Sequence, residues 1–506
     1  MLHATIEHDW PSFFYEPETW RQISATNLTP WINLSFAMDW KLFGFDPHGF
    51  FIHHILSLAL ATLCCGLLLL EIVSVVPALG TLLLFVTSLP TLALAGNLWL
   101  RHYTEGLAFA ALAFFFFLRG LKSSNFFYGL SGAFFYLISV TAKEIYVPLI
   151  GILLFYPGSF SKKGNLIKLP FLFVALAFVA WRSYMLGITN LFDPNVATSS
   201  NTLLSIGQFL ALIFKAIFNY DLFAFCFFLA FAASLLLVVL KRDGYLLFFF
   251  LVCIASILIP VIPVAERLTN LNTIDLSPLR ILTVVIFSLY LFVLHTFHNL
   301  NKKVAIFILT GTLIVNLWNL FGASALEKSI ARHHNYQKMG EFLLKAGPGK
   351  VLVMADGAPW FFTELKKLAS KTDEKPYDQS ALFCTDGCLC QRLLKKQDVE
   401  FYYFNGSEVL KKMEWNCNVK EDAAPYAIFN YHKGMLAWEF GPFEQGQYCA
   451  LPMQNGLPEG IYCLPRKGKI KVYLTKDAQV VLRYRDPSGW IAYSDVVEIK
   501  VDARKN

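Results

Sequence analysis

Long apolar runs separated by short basic breaks constrain this chain more than any other feature. They fall at about 51–70, 77–98, 104–118, 125–142, 145–157, 166–186, 221–240, 244–262, 279–298 and 304–321. A helix needs about 20 apolar residues to cross the hydrocarbon core of a bilayer, with a range of about 17–25. The runs therefore predict an α-helical polytopic membrane protein of about ten spans, the third and fifth of them short. Composition points the same way. Only 16% of the 506 residues are charged, mean hydropathy is +0.50, and 48 residues are phenylalanine. Soluble domains carry about 25% charged residues.

Charge sets an expected orientation. Arg119 and Lys122 follow the third run. Lys162, Lys163 and Lys168 follow the fifth, Lys241 and Arg242 the seventh, and Lys302 and Lys303 the ninth. Counted through the runs, all four clusters fall on one side of the membrane, which the positive-inside rule makes the cytoplasm. The N-terminal loop and the C-terminal region then face outward. The modest net charge of +7 fits basic loops on the inner face better than nucleic-acid binding, for which no basic stripe is seen. No apolar stretch precedes residue 10, so no cleavable signal peptide is read.

The outward segments hold the candidate chemistry. The first contains Glu7, Asp9, Glu16, Glu18, Arg21, Asp39 and Lys41. The second, at 99–106, contains Arg101, His102 and Glu105, and the third contains Lys143 and Glu144. The fourth, about 187–220, includes a stretch at 203–218 that reads as an interfacial amphipathic helix. The fifth, 263–280, carries Glu266, Arg267, Asp275 and Arg280. A carboxylate beside hydrocarbon is costly unless it is hydrated or has work to do. Each group also has a plainer reading. Glu7 and Asp9 can be solvated loop acids, Lys143-Glu144 can mark a helix end, and outward arginines can snorkel to headgroups.

Beyond about Phe321 the chain turns polar, and 340–506 reads as a separate soluble domain. A short apolar run at 350–355, then Asp356-Gly357 and a helical pattern to Leu368, predicts strand, turn and helix. Strand-like patterns follow at 426–431, 435–440, 470–474, 480–484 and 496–501, with a turn at Asp486-Pro487-Ser488-Gly489. The expectation is a mixed α/β domain passing into β. Six of the ten cysteines lie here: Cys384, Cys388, Cys390, Cys417, Cys449 and Cys463. An even number in an outward domain favours disulfides, with no pairing assigned. Zinc is the rival, since Cys-x3-Cys-x-Cys is compact, although zinc sites prefer Cys-x2-Cys spacing. The tail holds no Ser-His-Asp, Walker or GxGxxG arrangement.

Several motifs resemble one known family. Asn33-Leu34-Ser35-Phe36-Ala37-Met38-Asp39-Trp40, Leu42-Phe43-Gly44, Pro47, Gly49 and His54 follow the acidic loop. They are similar to the LSFALDYRLFGLNPxG pattern after the first external loop of GT-C superfamily glycosyltransferases. The likeness is to the bacterial and TMTC-like O-mannosyltransferase branch. His102-Tyr103-Thr104-Glu105 looks like that family's HTE, Ala142-Lys143-Glu144 through Pro148 like its SKE segment, and Trp181-Arg182 through Gly187 like its WRxxxLG. The likeness covers about 7–290.

It implies a GT-C fold and a polyprenyl-phosphate sugar donor. It also implies an inverting transfer to a glycan, lipid or protein hydroxyl on the outer face, here the periplasmic face of a bacterial inner membrane. A loop carboxylate would take the acceptor proton. The family places two adjacent acids where this chain has His8-Asp9, so Asp9 and Glu7 both stand as the base. His54, His102, Glu105, Lys143 and Glu144 would contact substrate. Arg182, Arg267 and Arg280 would hold the phosphate, which a guanidinium grips with a fixed fork of donors. A divalent cation is a possible cofactor with little support, because no dense Asp/Glu ligand set is seen. The tail would help bind the acceptor or a partner. The family also has a span before the acidic loop. Met1 lies eight residues before Asp9, so a start further upstream is expected. Two alternatives are a flippase of lipid-linked glycans and a non-catalytic envelope assembly protein. A transporter should carry ionisable groups near mid-membrane, whereas these acids gather at one face.

Overall fold

The computed structural model describes residues 8–24, 27–44, 46–156, 159–187, 221–240 and 283–322. It also describes residues 350–354, most of 381–501, and scattered residues at 248–256 and 338–349. The chain divides into two compact units. One joins His8–Trp20 to Thr26–Ser329, and the other is built chiefly on Ile330–Asn506. The first is helical and the second is rich in β-strands.

In chain order the first described helices are α1 (Ser12–Tyr15), α2 (Pro17–Ile23) and α3 (Trp31–Phe43). Then come α4 (Pro47–Ile72), α5 (Val75–Val86), α6 (Leu89–Ala95), α7 (Arg101–Ser123), α8 (Phe126–Ala142), α9 (Leu149–Leu154) and α10 (Lys162–Leu186). Further on are α11 (Asp221–Leu240), α12 (Thr283–Leu300) and α13 (Lys302–Gly322). The starts of these helices are written locally. The Asp46 carboxylate accepts from the His48 amide at 3.0 Å, and Pro47 presets the first turn of α4. Asn125 and Ser161 cap α8 and α10 in the same way, at 2.9 and 3.0 Å. Each cap satisfies an amide that the helix itself cannot.

Among the described residues three helices are long and apolar enough to cross a membrane: 47–72, 98–123 and 162–186. A fourth is added if 75–86 and 89–95 form one span bent by 58°. This supports membrane association. The expected count of about ten goes beyond it. Helices α11, α12 and α13 stand where the seventh, ninth and tenth runs were read, while most of the eighth, 244–262, lies outside the described residues. So do the segments 188–220 and 263–280.

Three boundaries differ from the sequence reading. The run at 77–98 is broken, because Pro90 cannot donate to the ladder and Thr87 and Ser88 hydroxyls take the carbonyls of Leu83 and Phe85 at 2.8 Å. The expected loop at 99–106 is helix, so the third span is not short. Its polar residues find partners inside the unit, which lets α7 start well before its apolar run. The run at 145–157 shrinks to a 3-10 turn (Glu144–Tyr146) and α9, separated at Pro148.

Helix α7 lies at the centre. The 98–123 segment buries 61% of its apolar stretch, against 33% for α4 and for α10. The outer side of α4 instead leaves Ile52, Ile55, Leu56, Leu60, Leu63, Leu67 and Leu70 exposed, a face suited to lipid. Small residues bring α7 and α8 together. A Cβ on Gly132 would lie 2.6 Å from the Phe171 ring and 2.9 Å from the Ala113 carbonyl. In membranes such close backbone approach replaces the hydrophobic drive as the source of helix packing.

The β-rich unit has three sheets. Strands β1 (Lys350–Val353), β2 (Leu382–Cys384) and β3 (Glu400–Phe404) pair in parallel in the order β2-β1-β3, and β4 (Val409–Leu410) is antiparallel at the edge. Next, β5 (Tyr426–His432) and β6 (Met435–Gly441) form a hairpin flanked by β10 (Lys467–Lys471). The third sheet centres on β7 (Gln447–Gln454) and β11 (Ala478–Arg485), with β8 (Leu457–Pro458), β9 (Tyr462–Leu464), β12 (Ile491–Tyr493) and β13 (Val497–Ile499) at its margins. The turn read at 486–489 joins β11 to β12, with Gly489 at φ 97°, a region that favours glycine. The helical pattern to Leu368 lies outside the described residues.

The six cysteines of this unit stand as Cys384–Cys390, Cys388–Cys417 and Cys449–Cys463. Asp386 ties the parallel sheet to the third sheet. It caps α14 (Gly387–Leu393) through the Leu389 amide and accepts from Arg483 at 2.9 Å and the Tyr493 hydroxyl at 2.8 Å.

Candidate functional site

Charged side chains collect at the end of the helical unit where α7 begins. Arg101 is fully buried and donates through Nη1 to the buried Asp39 on α3. His53, in the second turn of α4, places Nδ1 at 2.5 Å from Asp39 Oδ1 and Nε2 at 3.6 Å from Glu105 Oε1. Arg101 Nη1 also lies 2.8 Å from His53 Nδ1. One turn along α7, Glu105 accepts from Ser35 Oγ at 2.8 Å and Trp31 Nε1 at 3.0 Å. The Arg101 guanidinium sits 4.6 Å from the centre of the Phe36 ring. Three helices thus share one polar cluster. Removing one partner of such a buried pair costs about 3–5 kcal/mol, because it strands the other charge.

A second pair lies where α8 ends and α10 ends. Glu144 Oε1 accepts from Arg182 Nε at 2.8 Å and from the Leu28 amide at 2.9 Å. Beside it, Lys143 Nζ stands 5.0 Å from the centre of the Tyr103 ring. Tyr146 Oη donates to the Tyr103 carbonyl at 2.6 Å, joining this turn to α7.

The acidic loop packs on the same end. Trp181, next to Arg182, donates through Nε1 to the Phe14 carbonyl at 2.7 Å and stacks on the Phe14 ring. Asp9 is exposed, five residues before Phe14. Its carbonyl accepts from Ser12 Oγ at 2.7 Å and the Ser12 amide at 3.0 Å. An exposed carboxylate on a fixed turn can accept a proton from a bound hydroxyl.

The sequence-derived candidates divide as follows. Asp9, Glu105, Lys143, Glu144 and Arg182 gather at this end. His102 is buried, with its ring against Tyr103. His54 is fully buried and turns to the Leu94 carbonyl at 2.8 Å, so it fastens α4 to α6 and takes no part in the cluster. Glu7, Arg267 and Arg280 lie outside the described residues. Among the described residues no group of three or more His, Cys, Asp or Glu side chains is placed to hold a metal ion.

Sequence reasoning did not single out His53, or pair Asp39 with Arg101 as the core of a cluster. The available signal was charge without company. Arg101 stands in a short polar break between two long apolar runs, and Asp39 interrupts a mostly apolar helix. Ionisable groups in such places need a buried partner.

The sequence matches no protein-family model and no curated protein.

Proposed function

We propose that this protein is a membrane glycosyltransferase of GT-C type, embedded through about ten spans. It moves a sugar from a polyprenyl-phosphate donor to a hydroxyl of a glycan, lipid or protein acceptor on the outer face. The observation that carries the reading is the Trp181–Phe14 contact. It fastens the loop that carries Asp9, five residues before Phe14, to the helix end that carries Arg182, which in turn pairs with Glu144. Of the residues in the motifs that resemble the family, Glu105, Lys143, Glu144 and Arg182 lie at this end, while His54 turns away to the Leu94 carbonyl.

Transfer needs a base for the acceptor proton and positive charge for the leaving phosphate. In this reading the Asp9 carboxylate takes the proton as the acceptor oxygen bonds to the anomeric carbon. The bond from that carbon to the phosphate oxygen breaks, and polyprenyl phosphate leaves. Arg182 and Lys143 supply positive charge at the departing oxygens. Glu144 sets the direction of Arg182, and the buried Asp39–Arg101–Glu105 cluster holds α3, α4 and α7 in register beneath the loop.

The test is glycan analysis of cells carrying Asp9→Asn at matched protein level, beside a gene deletion. The same surface glycan lacking one sugar in both strains is the expected result, and the missing sugar names the donor. A loss confined to the deletion would remove Asp9 from the base role and favour transport of lipid-linked glycans.

A further inference from the structure

The opposite end of the same helices carries a different kind of charge. Helix α7 rises about 1.5 Å per residue, so its end lies about 26 Å from Glu105. There Glu71, at the end of α4, accepts from Arg119 Nη2 and Lys122 Nζ, each at 2.6 Å. Both cations remain more than half exposed, at 52% and 58%. Helix α10 begins beside them, since a Cβ on Gly120 would lie 3.3 Å from Ile167. It brings exposed Lys162 and Lys163. Residues 106–143 and 145–182 contain no aspartate or glutamate, so the four exposed cations on this end of α7 and α10 have no acid on the same stretch of either helix to offset them. Lys168 is not among them, because its Nζ is taken by the Leu154 carbonyl at 2.8 Å.

Large aromatic residues occupy the same end. Phe127 is 75% exposed, Phe126 47% and Phe160 57%. Exposed phenylalanine rings suit the acyl boundary of a bilayer, and lysine or arginine beside them attracts anionic lipid.

We infer that Arg119, Lys122, Lys162 and Lys163 form a docking surface for the phosphate headgroup of an anionic phospholipid. Phe126, Phe127 and Phe160 border its acyl chains. Glu71 keeps Arg119 and Lys122 side by side and cancels only part of their charge. The surface is separate from the proposed transfer site and rests only on the helices lying in a bilayer.

The test uses the purified full-length chain in detergent, titrated with phosphatidylglycerol or phosphatidylcholine and read by native mass spectrometry. The wild-type chain is expected to retain phosphatidylglycerol in preference. The combined Arg119→Gln, Lys122→Gln, Lys162→Gln, Lys163→Gln variant should lose that preference, by about fivefold in affinity per charge removed. The pair Lys302→Gln, Lys303→Gln on α13 serves as control and should keep most of it. Absence of a headgroup preference in the wild-type chain would overturn the inference without reliance on any variant. So would equal loss, charge for charge, in the control pair. Displacement of phosphatidylglycerol by equimolar polyprenyl phosphate would assign the surface to the carrier lipid instead.

Discussion

The two ends of α4, α7 and α10 carry charge in opposite ways. Where α7 begins, Asp39, Arg101 and Glu105 are buried and matched inside the protein. Where it ends, Arg119 and Lys122 share one carboxylate and still stay more than half exposed. Burial accounts for the difference. A charge removed from water must find its partner by tertiary contact, and that contact fixes which helices meet and at what height. An exposed charge can wait for a counter-ion from outside. The first end is therefore built to hold a geometry, and the second to meet a surface.

The sharpest way to break this contrast is Arg101→Ala. It takes the guanidinium from buried Asp39 and leaves it with His53, and it should lower stability by about 3 kcal/mol, the low end of the range for breaking a buried pair. Thermal unfolding of the purified chain would register it, and the exposed Lys122→Ala should move the midpoint little. Replacing both Arg101 and Asp39 by apolar residues of similar volume should cost less than either single change. An unchanged midpoint for Arg101→Ala would mean the buried pair is not structural.

Gly132→Ala comes next. Its Cβ would meet Phe171 and the Ala113 carbonyl at 2.6 and 2.9 Å, so α7 and α8 must part. Overpacking of this kind costs about 1–3 kcal/mol. Trp181→Phe is milder. It keeps the stacking on Phe14 and loses the 2.7 Å hydrogen bond, which is worth about 1 kcal/mol. If the contact positions Asp9, the transfer rate should fall severalfold while the unfolding midpoint hardly moves. A proportional fall in both would make it ordinary packing.

The smallest effect belongs to the β-rich unit. Burial, and then the Asp386 carboxylate, push the Tyr493 hydroxyl well above the ordinary tyrosine value of 10.0. The folded state therefore favours the neutral phenol. Its contribution is complete below pH 10.0 and is lost as pH rises from there toward the raised folded value. Tyr493→Phe should lessen the alkaline loss of stability, read as unfolding midpoint against pH above 10.

Much of this was legible in the sequence, for particular reasons. Apolar runs of about 20 residues mark helices in lipid whatever their neighbours do, and α4 and α10 appear where those runs lie. In the tail, alternation and Asp486-Pro487-Ser488-Gly489 located β11 and the turn after it. The cluster was harder. Asp39 and Arg101 are 62 residues apart, and nothing local tells either which partner it meets. The same holds for Glu144 with Leu28 and for Trp181 with Phe14. A polar stretch such as 99–106 looks like a loop until Trp31, Ser35 and Asp39 are known to cover it. His53 and His54 are adjacent and indistinguishable by composition. Only the facing of α4 sends one toward Asp39 and the other to the Leu94 carbonyl.

The most direct measurement is transfer by the purified full-length protein. It would be supplied with a polyprenyl-phosphate sugar and a hydroxyl acceptor, and product would be followed by mass spectrometry for wild type and Asp9→Asn. Sugar-bearing acceptor from the wild type, reduced about a hundredfold or more in the variant, is the expected result. Wild-type protein that forms no product, yet moves the lipid-linked donor across reconstituted vesicles, would contradict the account and make the buried charge cluster part of a transporter.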